Sequence, residues 1–110
     1  MGKFVITKRA NGEFQFNLKA TNGQVILTSE GYTTLAACKN GIESVKKNSQ
    51  EDARFERKEA KDGSPFFNLK ATNGQVIGKS EMYSSKSACE NGIESVKKNA
   101  LEAEIVEDFE

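Results

Sequence analysis

A chain of 110 residues, 36% hydrophobic and 29% charged, has the composition of a globular domain that leans polar, and its length suits one domain or two half-domains sharing a core. Its 16 Lys and Arg residues are balanced by 16 Asp and Glu, so no overall charge draws it to nucleic acid or to an anionic membrane. No apolar run approaches the ~20 residues of a membrane helix, and the N-terminal segment lacks the apolar stretch of a signal peptide. We therefore expect a cytoplasmic protein without membrane contact.

Strand and turn patterns open the chain. Residues Lys3–Lys8 are predicted as a first strand, which Asn11-Gly12 turns into a hairpin centred on Asn22-Gly23. Asn-Gly tolerates the two positive φ angles of a type I′ turn, and such a two-residue loop would set the register of the hairpin. The pairs expected on the core side are Phe16 with Ser29, Leu18 with Leu27, and Ala20 with Val25. The reverse side would carry Asn17, Lys19, Ile26, Thr28 and Glu30.

A helix is predicted to follow, with Thr33 as its N-cap and Asn48 closing it in a left-handed conformation. Its apolar residues recur at helical spacing and form a narrow stripe, made by Leu35, Cys38, Ile42 and Val45. Gly41 lies on the inner edge of this stripe although glycine costs a helix about 1 kcal/mol relative to alanine. We expect a close helix-to-sheet or helix-to-helix approach at this point, which a methyl group would block.

The chain then repeats itself after 51 residues. Residues 17–48 and 68–99 align without a gap, and 24 of the 32 paired positions are identical. A unit of about 50 residues buries too little surface to be stable alone, so the two copies should share one core. The prediction is a single domain over residues 1–110, with repeat 1 at about 1–52, repeat 2 at about 53–103, and Ser84 capping the second helix at the position equivalent to Thr33.

A last strand is predicted near residues 103–107, where the repeat period brings a third equivalent of the first strand. Residues 1–50 carry a net charge of +4 and residues 51–110 a net charge of −4, with five acids in the last nine residues. An acidic end could meet another molecule, but the preferred interpretation is that it pairs with the basic first copy. The predicted fold class is therefore α+β, with two β-β-β-α-β repeats in one antiparallel sheet, helices on one face, and C-terminal strands exchanged between the repeats.

The motifs KATNGQVI, SEGY and NGIESVKKN resemble those of the YegP-like family, an uncharacterised group of small, mostly bacterial proteins. The resemblance covers nearly the whole chain twice. It implies a β-β-β-α-β unit whose copies share a sheet and swap C-terminal strands, so that the tandem chain is a dimer fused into one monomeric polypeptide. The second copy departs from the pattern at Met82 and at Pro65. The resemblance implies no activity, cofactor or catalytic residue.

The distribution of identities gives one indication of function. Only three of thirteen positions match between residues 4–16 and 55–67, whereas 24 of 32 match over the hairpin and helix. Several matched polar residues are not required by turns, caps or core. They either stabilise the fold or form a pair of symmetry-related surfaces for a protein or small-molecule partner. These candidate binding residues are Asn17, Lys19, Tyr32, Asn40 and Ser44 in the first copy, with Asn68, Lys70, Tyr83, Asn91 and Ser95 in the second.

Catalysis finds little support, and we expect no enzyme, cofactor or metal. The chain has no histidine, no Cys/His cluster and no Walker-type loop. Cys38 and Cys89 are expected to be buried, reduced thiols; an enzyme would have to use these cysteines, or Glu43 and Glu94 as paired carboxylates. Nucleic-acid binding is the other alternative, because lysines recur symmetrically in the two copies and Tyr32 and Tyr83 could stack on bases.

Overall fold

In a computed structural model of the chain, residues 2–109 are described, and their helices and strands follow one another in the predicted order. The elements are β1 (Lys3–Lys8), β2 (Phe14–Lys19), β3 (Val25–Thr28), α1 (Leu35–Asn48), a 3₁₀ turn at Asp52–Arg54, β4 (Phe55–Glu59), β5 (Pro65–Lys70), β6 (Val76–Lys79), α2 (Lys86–Ala100) and β7 (Glu104–Glu107).

The strands form one sheet in the order β4-β5-β6-β3-β2-β1-β7, which confirms the predicted α+β fold of two repeats around a shared sheet. The repeats meet at the centre, where Thr28 of β3 pairs with Lys79 of β6. Both helices cover the same face, and their apolar stripes bury Ile42 and Ile93 against a common cluster of aromatic and aliphatic side chains from the sheet. The opposite face of the sheet has no helix among residues 2–109 and carries most of the polar strand residues.

The last strand joins the edge of the first repeat, as predicted. β7 follows α2 but pairs with β1, with Phe4 opposite Ile105. This pair is parallel, so the prediction of a wholly antiparallel sheet is wrong at this edge. The reason is that α2 ends beside the start of β1, where Gly2 lies against Asn99, and the chain therefore enters the edge at the end where β1 itself begins. β4 is the sequence equivalent of both β1 and β7, and it serves as the first strand of the second repeat. Strand exchange therefore runs in one direction, from the second repeat to the edge of the first.

The hairpin turns differ from the predicted type I′ geometry. At the turn after β2, Gly23 N donates to Ala20 O at 2.8 Å and Ala20 N donates to Gln24 O at 2.9 Å. Only Gly23 has a positive φ, of 86°, while the Asn22 side chain accepts from Gln24 N at 2.9 Å. This is a type I turn followed by a glycine bulge.

The bulge shifts the register between Leu18 and Lys19, so Val25 faces Lys19 and the predicted pairing with Ala20 is wrong. The pairing of Leu18 with Leu27 is confirmed. Ile26, predicted on the reverse side, is buried in the core cluster because of the same shift.

Each helix begins one residue later than predicted. Thr34 Oγ1 accepts from Ala37 N at 3.0 Å, and Ser85 makes the equivalent bond in α2. Asn48 does not close α1 in a left-handed conformation: it is the last helical residue, and its amide donates back to Ser44 O at 2.8 Å.

The close approach expected at Gly41 is made by a tyrosine ring. A methyl group on Gly41 would lie 2.8 Å from Cζ of Tyr32 and 3.2 Å from Cε2 of Phe16. Tyr83 covers Gly92 in the same way, with its Cζ 2.6 Å from the position of such a methyl group. The two helical glycines therefore leave room for two rings that close the ends of the core.

The pseudo-symmetry of the core is broken at its centre. Leu27 is fully buried, and its equivalent in the second repeat is Gly78. A Cβ atom on Gly78 would lie 2.6 Å from Cδ2 of Leu27. One leucine therefore fills space on the pseudo-two-fold axis in which two symmetric leucine side chains would clash.

Candidate functional site: twin polar clefts

The ten candidate residues do not form one surface. The structure separates them into three groups: a pair of half-buried tyrosines, four residues on the open face of the sheet, and four residues on the two helices. These groups are Tyr32 and Tyr83; Asn17, Lys19, Asn68 and Lys70; and Asn40, Ser44, Asn91 and Ser95.

The tyrosines have a clear structural role. Tyr32 stacks on Phe16 with ring centroids 6.2 Å apart, and Tyr83 stacks on Phe67 at 6.3 Å. Burial raises the pKa of Tyr83 to about 12 and raises that of Tyr32 as well. Each ring lies between a phenylalanine and a helical glycine. This packing explains why both copies have tyrosine at this position, and no ligand contact is needed to explain it.

The open sheet face is not equivalent in the two repeats. In the second repeat, Glu56 accepts from Lys70 at 3.1 Å and from Asn68 at 3.4 Å. These two donors hold the pKa of the Glu56 carboxyl below its usual range. The first repeat has Val5 in place of Glu56, so Lys19 lacks that carboxylate and faces Lys3 across the β1–β2 pair.

The helix residues line two clefts that the repeat symmetry relates. Each cleft lies between the hairpin turn of one repeat and the helix of the other. The first, of about 350 Å³, is lined by Ala20, Thr21, Asn22, Asn91, Glu94, Ser95, Lys98 and Asn99. The second, of about 450 Å³, is lined by Ala71, Thr72, Asn73, Asn40, Glu43, Ser44, Lys47 and Asn48.

All eight lining positions are identical between these clefts. A comparable cavity of about 400 Å³ at the edge of β4 is lined by seven residues, of which only Cys89 matches its equivalent, Cys38. The identity between repeats therefore includes both clefts completely, although it does not extend to every concave part of the surface.

Buried amides form the floor of each cleft. Asn99 donates to the Ser95 carbonyl at 2.8 Å and to Ser95 Oγ at 3.2 Å, and Asn48 bonds to Ser44 in the same way. Asn48 also accepts from Arg54 Nε at 3.3 Å. Ser44 and Ser95 are thus held in place by the fold, and their match has a structural component.

The rim of each cleft is exposed. In the first cleft, Asn91 and Lys98 project from α2 opposite Asn22 of the turn, and Thr21 Oγ1 lies 3.4 Å from Asn99 Oδ1. The arrangement offers neutral hydrogen-bonding groups, one ammonium group and one carboxylate group per cleft, the carboxylate coming from Glu94 or Glu43. Sequence reasoning did not select Thr21, Asn22 or Lys98 and their counterparts, because it assigned them to turns and helix ends; their identity in both copies was the indication.

The cysteines are buried, as predicted, and burial raises the pKa of both thiols. Within residues 2–109, no group of three His, Cys, Asp or Glu side chains is placed to hold a metal ion. No helix among those residues is long and apolar enough to cross a membrane.

Comparison with known proteins gives the same family throughout. A family described as a domain of unknown function, DUF1508, matches residues 10–56 and again residues 60–107. A UPF0339 protein encoded near the ptx operon of Stutzerimonas stutzeri is 53% identical over 106 residues, which cover 96% of each chain. The solution structure of a UPF0339 protein from Shewanella oneidensis matches with a TM-score of 0.93 and 49% identity, covering 98% of this chain and 92% of the other. The solution structure of YegP from E. coli, a protein of unknown function, matches with a TM-score of 0.93 and 44% identity, covering 98% of this chain and 93% of the other. The chain therefore belongs to the DUF1508 family of YegP-like proteins, as its repeated motifs predicted.

Proposed function

We propose that the protein is a non-catalytic binding module that uses the two clefts as equivalent sites, in the cytoplasm of a bacterium and as a monomeric pseudo-dimer. The observation that carries the proposal is the identity of all eight lining positions between the clefts. Exposed polar residues on a helix usually change freely after a duplication, so their retention in two places at once favours a shared ligand contact.

The chemistry of the rim defines the ligand class. Asn22 and Asn91 each present a carboxamide that can donate and accept, and Lys98 adds an ammonium group. The carboxylate of Glu94 lies in the same cleft, so the set complements a polar ligand with amide or hydroxyl groups that carries both an anionic and a cationic group. Because the pseudo-two-fold relates the clefts, the occupant is either two copies of a small molecule or a protein with two-fold symmetry.

The state of the reactive groups supports a non-catalytic role. A nucleophilic cysteine needs a depressed pKa, whereas burial raises the pKa of Cys38 and Cys89. Glu43 and Glu94 line different clefts, so they do not act as a carboxylate pair, and Glu94 forms an ion pair with Lys97 at 3.3 Å.

The test is an amide NMR titration of the ¹⁵N-labelled chain with bacterial cytosol, separated into small-molecule and macromolecular fractions. We expect paired shifts in the two clefts, at the Thr21 and Thr72 turns together, and their loss in the double variant Asn40→Ala/Asn91→Ala. Asn11→Ala, in a turn outside the clefts, is the matched control and should keep them. Shifts at one cleft only, or at neither with every fraction, would contradict the proposal.

A second candidate is an anionic partner, including single-stranded nucleic acid, on the open face of the sheet. Strand alternation places five lysines and two glutamates there: Lys3, Lys19, Lys58, Lys70, Lys79, Glu56 and Glu104. The net charge of this set is positive although the chain as a whole is neutral. Binding of a fluorescent oligonucleotide that weakens steeply with salt and with Lys19→Gln would support this candidate; no binding at low salt would exclude it.

A further inference from the structure

The edge of the first repeat is completed by the end of the chain itself. Ile105 packs against the core cluster, and the Asp108 amide donates to Ile6 O at 2.8 Å. Glu107 forms an ion pair with Lys39 of α1 at 2.8 Å, and the Phe109 ring lies 5.2 Å from the ring of Phe14. Backbone pairing, one charge and one aromatic side chain thus hold residues 104–109 in a groove between β1 and α1.

The second repeat carries the equivalent groove between β4 and α2. β4 is the outermost strand on its side of the sheet. The segment that follows α1 forms β4 itself, so it does not cover β4 as the segment after α2 covers β1. The groove is the cavity of about 400 Å³ that includes Arg57, Pro65, Cys89 and Glu90. These residues are the repeat equivalents of Ile6, Phe14, Cys38 and Lys39. Of these, Ile6, Phe14 and Lys39 contact the end of the chain in the first repeat.

The charge at one key position of this groove is reversed relative to the first repeat, although Lys58 and Lys86 also line it. Where Lys39 attracts Glu107, the second repeat has Glu90. The guanidinium of Arg57 now lies between two carboxylates, at 2.7 Å from Glu90 and 3.1 Å from Asp52. The same side chain reaches the Phe55 carbonyl at 3.5 Å, so it runs along the outer edge of β4. Asp52 also pairs with Lys97 at 2.9 Å, so a cation that replaced Arg57 would lie beside Glu90 and beside an Asp52 that keeps its Lys97 partner.

We propose that the outer edge of β4 accepts an extended segment of a partner protein that runs parallel to β4, as β7 runs along β1. Its backbone pairs with the outward carbonyl and amide of Arg57. Its register places Lys or Arg at the position of Glu107, where the cation takes the place of the Arg57 guanidinium between Asp52 and Glu90. An aromatic residue two positions later occupies the place of Phe109 and packs against Pro65. This is strand addition at a sheet edge with a charge-selective pocket.

The alternative role of such an edge is protection, because charged side chains on an edge strand prevent unwanted pairing between sheets. The two roles predict different responses to the removal of Arg57. If Arg57 only shields the edge, its loss leaves an edge that joins other molecules without selectivity. If it holds the place of a ligand cation, its loss strengthens the binding of basic strands alone.

The test uses two peptides that differ at one position. The first has the chain's own sequence over residues 103–109, AEIVEDF, and the second is AEIVKDF, with lysine at the place of Glu107. Each is titrated into the ¹⁵N-labelled full chain. We expect the lysine peptide to bind about fivefold more tightly, with shifts at the Arg57 and Glu59 amides, and Arg57→Ile to raise its affinity by a similar factor.

The double variant Arg57→Ile/Glu90→Lys gives these two positions the side chains of the first-repeat groove, and in it the preference should reverse in favour of AEIVEDF. Equal affinities for the two peptides in all three proteins would overturn the proposal, as would shifts confined to β1, which would mean that the peptide displaces β7. A dimer formed by the chain alone, measured by light scattering and lost in the double variant, would identify the occupant as a second copy and overturn the assignment of a different partner. The cleft variant Asn40→Ala/Asn91→Ala should bind the peptides normally, so this test is independent of the proposed function.

Discussion

Substitution of Gly41 by alanine tests whether ring packing or helix propensity governs the middle of α1. Alanine should stabilise an exposed helix by about 1 kcal/mol relative to glycine. Here the new methyl group would lie 2.8 Å from Cζ of Tyr32, closer than carbon atoms approach without displacement. The ring has little freedom to move, because it stacks on Phe16 and its backbone exchanges two hydrogen bonds of 2.7 Å with Phe14.

Overpacking in such a site costs about 1–3 kcal/mol, and the restricted ring places Gly41→Ala in the upper half of that range. After subtraction of the propensity gain, we expect a net loss of about 1–2 kcal/mol, or about 4–8 °C in the thermal midpoint measured by circular dichroism. Tyr32→Phe removes the hydroxyl that lies nearest to the new methyl group, so the double variant should recover part of the loss.

Asn40→Ala is the matched control, because it changes an exposed residue of the same helix turn and should be neutral or slightly stabilising. A Gly41→Ala protein that melts higher than the parent would show that Tyr32 yields freely. The account of the helical glycines as space for the two rings would then be wrong.

Three further predictions concern the edge strand β7, the contact between Leu27 and Gly78, and the ion pairs of Asp52. Removal of residues 102–110 should lower the urea midpoint by an amount equivalent to a loss of about 3 kcal/mol or more in the free energy of unfolding, since β1 loses its partner strand and the core loses apolar cover. An unchanged midpoint would mean that β7 adds nothing to stability. Gly78→Ala should cost about 1–3 kcal/mol in the same assay because its methyl group meets Leu27, and the combination with Leu27→Ala should cost less than the sum of the two; strict additivity would contradict the contact. Hydrogen bonds from Arg57 and Lys97 lower the pKa of Asp52 to about 2 from 3.8, so the stability it contributes is present above about pH 4 and is lost as the pH falls through about 2. The stability difference between the parent and Asp52→Asn should therefore shrink over that interval in acid titrations followed by fluorescence or circular dichroism, and a constant difference would mean that the ion pair does not act in solution.

Local sequence patterns predicted the elements well because the repeat doubled each of them. The apolar stripe that includes Ile42 and Val45 located the first helix, and the third appearance of the strand motif located β7 and its partner edge. Glycine at position 41, unexpected in a helix, correctly predicted a close approach. These inferences rest on short-range chemistry or on the repeat period, both of which are visible in one sequence.

Other features depended on geometry that a sequence does not display. Asn22-Gly23 is compatible with two kinds of turn, and the bulged form prevails here because the Asn22 side chain caps Gln24 while only Gly23 takes a positive φ. The clefts join the turn of one repeat to the helix of the other, so their residues could be recognised as matched but not as neighbours. The sequence does not show that Tyr32 packs between Phe16 and Gly41, because the glycine has no side chain to suggest a contact.

The unequal pair at the centre of the core, Leu27 and Gly78, restricts which combinations of the two repeats would pack well. Two copies of the first repeat would bring two leucines into space that now holds Leu27 alone, and two copies of the second would leave that space empty beside Gly78. Neither half can therefore replace the other. The fusion has made the repeats complementary parts, and a gene that lost either one would not return to a stable symmetric dimer without first changing the residue on the axis.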